Sequence, residues 1–437
     1  MDYKKLIELG LNKGLQDIEI MENISEKLSI RMFQKEVNKY NLSKLKTLNI
    51  RAIYNNKLTS LSLENQDVCD MNEVIDTLIS NATILNSKEN VLFYDKNENY
   101  KIDDLFDFNK ISYDEKVKLL NNYSNCCYNY SDLITSVTVS YSEEKESLHL
   151  INSKGLDKKK TVSYGVCVVQ VVCKKDEFVN NSYKIDIVKD FHKFKKDLAI
   201  EACKEALSKL GSTSIKSDEY NVILKNEAVT SLLQAFSGLF SGENAIKKLT
   251  PLNDKIGEKI FGDNITLIDD PLQDKLFYPL YFDDEGVPTS TKNIIENGVL
   301  KTMLHNLKTA SYFNTSSTGN GIKRGSNISV GAFNLSLKPG LISLAELLNK
   351  VDNGIYITDL SGLHAGVNIV SGDFSLQSEG YLIKDGKLNK PVSLIVLSGN
   401  FYDLFNNVKE IANDFNYDSS GFGSSSIYVG KMKISGN

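Results

Sequence analysis

The chain has 437 residues, 41% hydrophobic and 24% charged, a composition typical of a globular protein with room for two or three domains. Its formal net charge of −5 gives no basic excess for holding phosphates, so nucleic acid is not expected as a partner. No apolar leader opens the chain, no run approaches the roughly 18 apolar residues of a membrane span, and none of the six cysteines forms a C-x-x-C pair. We therefore expect a cytoplasmic protein with reduced thiols and no membrane partner.

Two segments of the first half share a plan in which strands lead into a helix. In the first, strands over 27–33 and 47–64 include a hairpin turn at Asn55-Asn56, and Asp70 caps a helix over 70–85. In the second, strands over 136–153 and 161–173 lead into a helix predicted over 186–210. The pattern predicts a duplicated antiparallel sheet-and-helix unit, with copies at residues 1–90 and 110–210 of an N-terminal α+β region spanning 1–215.

After a polar linker over 211–220, the sequence becomes rich in glycine-punctuated strands. A short strand begins at Asn221, a buried helix follows over 227–240, and a turn at Asp385-Gly386 leads into a buried strand over 391–401. The fold class is therefore predicted to be α+β, with a mostly β C-terminal domain over 221–437 that forms a curled sheet or barrel.

Common catalytic motifs are missing. No two of the four histidines are close enough in sequence to share a helix face, so the zincin motif is absent, although a site assembled from distant histidines stays open. The chain has no G-x-S-x-G elbow, and no histidine lies near the adjacent pair Cys126-Cys127. Neither a hydrolytic metal helix nor a nucleophile is therefore predicted from spacing.

Two other stretches suggest ion binding. Asp283, Asp284 and Glu285 run into Gly286 and could form a metal site, an acid/base pair or a turn. Calcium loops place their ligands at alternating positions, whereas these acids are consecutive, so we predict a turn with one or two outward carboxylates. The loop "SSTGNGIKRGS" (316–326) could cradle an anion, but its spacing fits neither a P-loop nor a dinucleotide fingerprint, which favours a strand-connecting loop.

Several ordered stretches of the second half carry a resemblance to a known family. They include "ITLIDDP" (265–271), "FDDEGVPTSTKNIIENGVLKTMLHNLKTA" (282–310), "STGNG" (317–321) and "GIYITDLSGLHAGVNIVSGDFSLQSEGYLIKDGKL" (354–388). From about Asn221 to Gly436 the chain closely resembles the TldD/PmbA family, the so-called modulators of DNA gyrase, and in particular its TldE (PmbA) branch.

The resemblance implies a two-chain metalloprotease in which TldD-type subunits carry an H-E-x-x-x-H helix and a distal cysteine for the metal. Here the corresponding helix reads "NEAVTSLLQ": Asn226 stands at the first histidine, while Glu227 remains. The last hundred residues contain no cysteine, and "DSSGFGSSS" (418–426) occupies the tail. The resemblance therefore implies a chain without catalytic residues, metal or cofactor of its own, and a metal, zinc, in a TldD-like partner.

Two functions follow as hypotheses. The first is a TldE-like subunit that completes the peptide cleft of a TldD-like protease, as a heterodimer acting on unfolded peptides. The alternative is a stand-alone homodimer that binds peptides or a protein, for example a gyrase-associated regulator, without cleaving them.

Stretches rich in glycine and small polar residues permit close backbone approach, which an extended-peptide groove or an interface requires. Turns and bulges of a curved sheet explain the same glycines equally well. The candidate groove or interface residues are Ser317, Thr318, Gly319, Asn320, Gly372, Asp373, Phe374 and Ser375.

Overall fold

A computed structural model describes residues 2–64, 70–85, 92–98, 100–325 and 327–437. One of the six cysteines, Cys69, and the last residue of the loop 316–326, Ser326, lie outside these ranges. Within them, no helix is both long and apolar enough to cross a bilayer. The predicted α+β class is confirmed, because a large antiparallel sheet with helices precedes a mostly β region.

The N-terminal region is built on one six-stranded antiparallel sheet, ordered β3-β2-β1-β4-β5-β6. Its strands are β1 (Asp17–Phe33), β2 (Glu36–Tyr54), β3 (Lys57–Glu64), β4 (Ile134–Asn152), β5 (Asp157–Lys175) and β6 (Phe178–Val188). Its helices are α1 (Tyr3–Asn12), α2 (Met71–Ile84), α3 (Tyr113–Tyr130) and α4 (Leu198–Ser208).

Two three-stranded meanders, β1–β3 and β4–β6, meet where β1 pairs with β4 at the centre of the sheet. One hydrophobic cluster joins β1 and β2 to α1 and α2, and another joins β4 and β5 to α3 and α4. The duplicated sheet-and-helix plan is therefore present. Its local signals also hold, since Asn55 and Asn56 adopt positive φ in the hairpin and the Asp70 side chain caps α2.

The helix predicted over 186–210 is wrong in its first part. Asp186 to Val188 belong to β6, and the helix itself spans only Leu198–Ser208. Alternating positions of β6 are buried against β5, so sheet pairing decides the conformation of residues that also fit a helical spacing.

The C-terminal region contains short strands, one closed barrel and five helices among the described residues. The strands are β7 (Asp218–Leu224), β8 (Leu267–Asp269), β9 (Lys292–Glu296), β10 (Val299–Leu300), β11 (Gly321–Arg324), β12 (Asn327–Val330), β13 (Leu335–Leu337), β14 (Gly354–Ser361), β15 (Asp373–Lys384), β16 (Lys387–Asn400), β17 (Glu410–Ile411), β18 (Asn416–Tyr417), β19 (Gly423–Ser424) and β20 (Ile427–Ser435). The helices are α5 (Asn226–Phe236), α6 (Gly242–Ile246), α7 (Leu307–Tyr312), α8 (Leu344–Val351) and α9 (Phe401–Asn406).

The barrel consists of β16, β15, β14, β7 and β20, and it closes because β20 also pairs with β16. Helix α5 packs with these strands in the largest hydrophobic cluster, where Val229, Leu232, Leu233 and Phe236 are fully buried. The predicted barrel and buried helix are thus both present, and the turn at Asp385-Gly386 joins β15 to β16.

The segment between the two regions, predicted as a linker over 211–220, is hydrogen-bonded to the barrel. Thr213 accepts from the Ser393 N–H at 3.2 Å, and the Ser217 hydroxyl donates to the Gly436 carbonyl at 3.0 Å. The division into domains at 1–215 and 221–437 stays a prediction.

Candidate functional site

The residue at the degenerate motif position begins helix α5 and lies in a closed hydrogen-bond network. The Asn226 N–H donates to the Ser426 hydroxyl at 3.2 Å, and its side-chain amide donates to the Asp414 carbonyl at 2.8 Å. Its side-chain oxygen accepts from the Glu227 N–H at 2.8 Å. Every polar atom of the Asn226 amide group is therefore used inside the chain.

The C-terminal tail supplies the other side of this network. Ser426 donates its hydroxyl to the Asp414 carboxylate at 2.6 Å and its N–H to the same carboxylate at 2.8 Å. Ser424, Ser425 and Ser426 have no exposed surface. The structure thus brings together the helix start and the serine tail, the two segments that the resemblance aligns with the metal ligands of TldD-type subunits.

These residues do not fit a zinc ion. Tetrahedral zinc needs imidazole, thiolate or carboxylate ligands converging on one point, whereas Asn226 and Ser426 are neutral and the Asp414 carboxylate already accepts two hydrogen bonds from Ser426. Across the described ranges, no three histidine, cysteine or acidic side chains are grouped so that they could hold a metal.

Glu227, the one acid of the motif that the sequence retains, is paired on one side only. One carboxylate oxygen lies 3.0 Å from the Lys225 ammonium, and the other is buried without a hydrogen-bond partner among the described residues. Burial raises the pKa of the neighbouring Tyr356 hydroxyl, so this phenol stays protonated at neutral pH.

The acids of "FDDEG" form a turn, as predicted, but two of them point inward. Gly286 adopts φ +81°, and the Asp283 N–H donates to the Val287 carbonyl at 2.9 Å. Asp284 is partly exposed, which agrees with the predicted one or two outward carboxylates, whereas Asp283 and Glu285 are buried. The reason is that the Asp283 carboxylate accepts three backbone N–H groups, from Glu285, Val287 and Gly321, at 2.8–3.0 Å.

The two buried acids share a strongly perturbed environment. Burial and the charge of Asp283 raise the pKa of Glu285 to about 8, and burial raises that of Asp283 as well. Three backbone donors favour the ionised form of Asp283, so we assign the proton of the pair to Glu285. Glu285 also accepts from the Leu307 N–H at 2.7 Å, at the start of α7.

A buried ion pair from the N-terminal sheet faces these acids. Arg51 on β2 and Glu19 on β1 are directly opposite in the ladder, and the Arg51 Nε donates to Glu19 at 2.9 Å. Burial acts to lower the pKa of Arg51, but the negative charges of Glu19 and Glu285 have the larger combined effect and raise this pKa. Sequence reasoning missed this pair; the β1–β2 hairpin register, turning at Gln34 and Lys35, was the signal that could have found it.

The first predicted groove segment lies beside the "FDDEG" turn. Asn320 has no exposed surface, and its amide donates to Asp269 at 2.8 Å and to the Gly331 carbonyl at 2.9 Å. Gly319 is also buried, at φ +67°, and a Cβ at this position would lie 2.4 Å from the Pro288 carbonyl oxygen. A buried Asn320 side chain has no surface of its own to offer a peptide.

Two members of that segment remain partly exposed. Ser317 donates to the His305 carbonyl at 3.1 Å, and Thr318 donates to the Asn320 side chain at 2.7 Å. They are the members of the segment that keep side-chain surface at the protein exterior.

The second predicted segment leads into barrel strand β15. Gly372 and Phe374 are buried, whereas Asp373 and Ser375 are exposed on the other face of the strand. Asp373 accepts from the Asn400 amide at 2.8 Å. No hydrogen bond between described residues joins this segment to the one around Asn320, and a peptide groove at either place stays a prediction.

Comparison with known proteins defines the class first. Residues 217–436 match the family model of the PmbA/TldA metallopeptidase C-terminal domain, and residues 106–210 match the model of its central domain. Fold and matched domains together are those of a metallopeptidase-like protein. The chain belongs to the TldD/PmbA family.

Individual relatives agree with this assignment. A metalloprotease of Methanocaldococcus jannaschii is 27% identical, over 94% of this chain and 92% of the relative. A metalloprotease PmbA homologue of Haemophilus influenzae is 31% identical over 60% of this chain and 56% of its own length, so the chain spans little more than half of that relative.

Solved structures share the fold over the whole chain. A Thermotoga maritima protein described as a proposed modulator of a DNA gyrase has a TM-score of 0.90 at 28% identity, with 99% of each chain covered. TldE from Thermococcus kodakarensis has a TM-score of 0.89 at 23% identity, covering 99% of this chain and 100% of that one, a likeness of fold alone.

Proposed function

We propose that this chain is the TldE-like, non-catalytic subunit of a TldD/TldE-type metalloprotease complex that acts on unfolded peptides. The metal, zinc, would be held by a TldD-like partner. The complex would work in the cytoplasm, a setting consistent with the five described cysteines, which are all free.

One observation carries the proposal. At the position where the resemblance places a metal-binding helix and a thiolate tail, Asn226, Asp414 and Ser426 satisfy one another by hydrogen bonds. A neutral amide and a hydroxyl are poor zinc ligands, so the chain would depend on another subunit for the metal-bound water that hydrolyses a peptide bond.

The test is reconstitution with the TldD-like subunit of the same organism. Hydrolysis of an unstructured, fluorescence-quenched peptide should be absent with this chain alone and should appear on mixing, with sensitivity to a chelator. Size-exclusion chromatography of the mixture should show the two chains in one peak.

A matched pair of variants locates the chemistry. Glu227→Gln in this chain should leave the hydrolysis rate of the mixture unchanged, whereas Glu→Gln in the partner's own motif should abolish it. Chelator-sensitive cleavage by this chain alone, or loss of the mixture's activity in Glu227→Gln, would contradict the proposal. If this chain forms a stable homodimer that binds peptides, and mixing it with the TldD-like subunit produces no peptide hydrolysis, the stand-alone binding module would be favoured instead.

A further inference from the structure

The hairpin β11–β12 presents an ammonium group that nothing in the proposed function uses. Lys323 belongs to the loop 316–326 that the sequence suggested as an anion cradle, and it lies on β11, where its N–H donates to the Asp284 carboxylate at 2.8 Å. Its Nζ atom is buried and has no hydrogen-bond partner among the described residues. A buried, unpaired ammonium is costly, and such a group calls for an explanation.

Lys323 borders a cleft of about 600 Å³ between the hairpin and one face of the N-terminal sheet. The floor is made of two successive rungs on one face of the β-ladder. In the first, Asn49 lies between Met21 and Ser62, and in the second, Thr47 lies between Asn23 and Glu64. Lys323 supplies the positive charge of the described lining, and the floor residues other than Glu64 are neutral.

The floor has free hydrogen-bonding capacity. Asn49 accepts from the Ser62 hydroxyl at 2.8 Å, which leaves its amide N–H₂ available. The side chains of Asn23 and Thr47 make no hydrogen bond to any described residue. Amide and hydroxyl groups in this arrangement suit the peptide groups of an extended chain.

The charges around Lys323 limit what the cleft can accept. Asp284 and Glu64 also line it, and Glu19 and Arg51 lie on the next rung of the sheet. Asp284 and Glu64 repel any anion that approaches Lys323, and they repel a doubly charged phosphate about twice as strongly as a singly charged carboxylate. A ligand with one negative charge therefore suits this cleft better than a phosphate.

We propose that this cleft binds the C-terminal carboxylate of an extended peptide, with Lys323 as the counter-ion and Asn23, Thr47 and Asn49 as partners of the adjoining peptide group. The proposal rests on the proposed function, since it names the end of the peptide that the subunit would hold.

Burial, followed by the charge of Arg51, lowers the pKa of Lys323 to about 8, while Asp284 and Glu19 act in the opposite direction. A lysine with this pKa is cationic at pH 7 and neutral at pH 9. Carboxylate binding should therefore weaken as the pH rises through this range.

The experiment measures binding of one labelled, unstructured peptide to the full chain by fluorescence anisotropy, as the free acid and as the C-terminal amide. At pH 7 the free acid should bind roughly tenfold more tightly, the size of one charge-assisted hydrogen bond. At pH 9 the free acid should bind only slightly more tightly than the amide. A third peptide, amidated but ending in glutamate, should bind like the plain amide.

Two variants make the comparison specific. Lys323→Met keeps the aliphatic stem and should reduce free-acid affinity to that of the amide without changing amide affinity. Arg324→Met, the exposed neighbour on the opposite face of the strand, should keep the preference. Thermal unfolding should show Lys323→Met to be at least as stable as the wild type, because an unpaired buried charge is removed.

Several results would overturn the inference: equal binding of acid and amide to the wild type, a preference retained in Lys323→Met, or equal binding of the glutamate-ended amide and the free acid. Amide binding and the reconstituted cleavage assay do not depend on the carboxylate. Their failure would count against the proposed function, whereas loss of the preference alone would count only against this cleft.

Discussion

Replacing Glu285 with glutamine is expected to flatten the pH dependence of stability. Glu285 is 2% exposed, and its pKa of about 8 in the fold compares with about 4.3 in an unfolded chain. Between these values the folded state holds a proton that the unfolded state has released. Stability therefore falls as the pH rises through this window, whereas glutamine does not titrate.

The size of the effect follows from the width of the window. Each pH unit within it costs about 1.4 kcal/mol. From pH 5 to pH 7, the free energy of unfolding of the wild type should fall by about 3 kcal/mol relative to that of Glu285→Gln. The substitution preserves the hydrogen bond that Glu285 makes, because the glutamine carbonyl can accept from the Leu307 N–H.

The assay is urea unfolding followed by far-ultraviolet circular dichroism at pH 5, 6, 7 and 8. Asp254→Asn, which neutralises a carboxylate on the exposed surface, serves as the control and should run parallel to the wild type. Parallel curves for wild type and Glu285→Gln would refute the reasoning, because they would mean that Glu285 carries no extra proton in the folded state.

Three further predictions concern packing and charge. Asn320→Leu removes a donor to buried Asp269 and should lower the melting temperature, measured by differential scanning fluorimetry, by several degrees. Ser375→Leu on the exposed barrel face should leave the melting temperature unchanged. An unchanged melting temperature in Asn320→Leu would mean that Asn320 serves only a peptide. Gly286→Ala places a methyl group in a backbone with φ +81° and 2.6 Å from a Leu156 methyl, so urea titration should show a loss of about 1–3 kcal/mol; an unchanged midpoint contradicts the strained turn. Arg51→Met leaves Glu19 buried and unpaired and should cost about 3–5 kcal/mol, most of which Glu19→Gln in the same chain should restore; additive losses would mean that the pair is not coupled.

Local signals in the sequence predicted the local parts of the fold. The Asn55-Asn56 hairpin, the Asp70 cap and the Asp385-Gly386 turn depend on a few adjacent residues with strong conformational preferences. The start of α4 was misplaced because the residues from Asp186 onward satisfy a helical spacing until the pairing with β5 is known.

The site could be predicted only in part for a similar reason. The resemblance pointed to Asn226 and to the serine tail, and the fold brings them within hydrogen-bond distance across 200 residues. The inward direction of Asp283 could not be read from "FDDEG", because one of its three donors, Gly321, lies 38 residues away in the chain. Lys323 likewise becomes notable only when the folded chain places it beside the N-terminal sheet, across a shared cleft.

Barrel closure has a kinetic consequence. The strand that completes the barrel, β20, follows the other four barrel strands in the chain. Its residue Ile434 lies opposite Asp218 on β7 and opposite Leu397 on β16. The contact between Asp218 and Ile434 joins residues far apart in sequence and therefore forms slowly, and during synthesis β7 would emerge with an open edge long before its partner β20. The strands of the N-terminal sheet pair largely with their neighbours in sequence, so this sheet can form first. The N-terminal half of the nascent chain would then be folded while the C-terminal half is still open to aggregation and to chaperone binding.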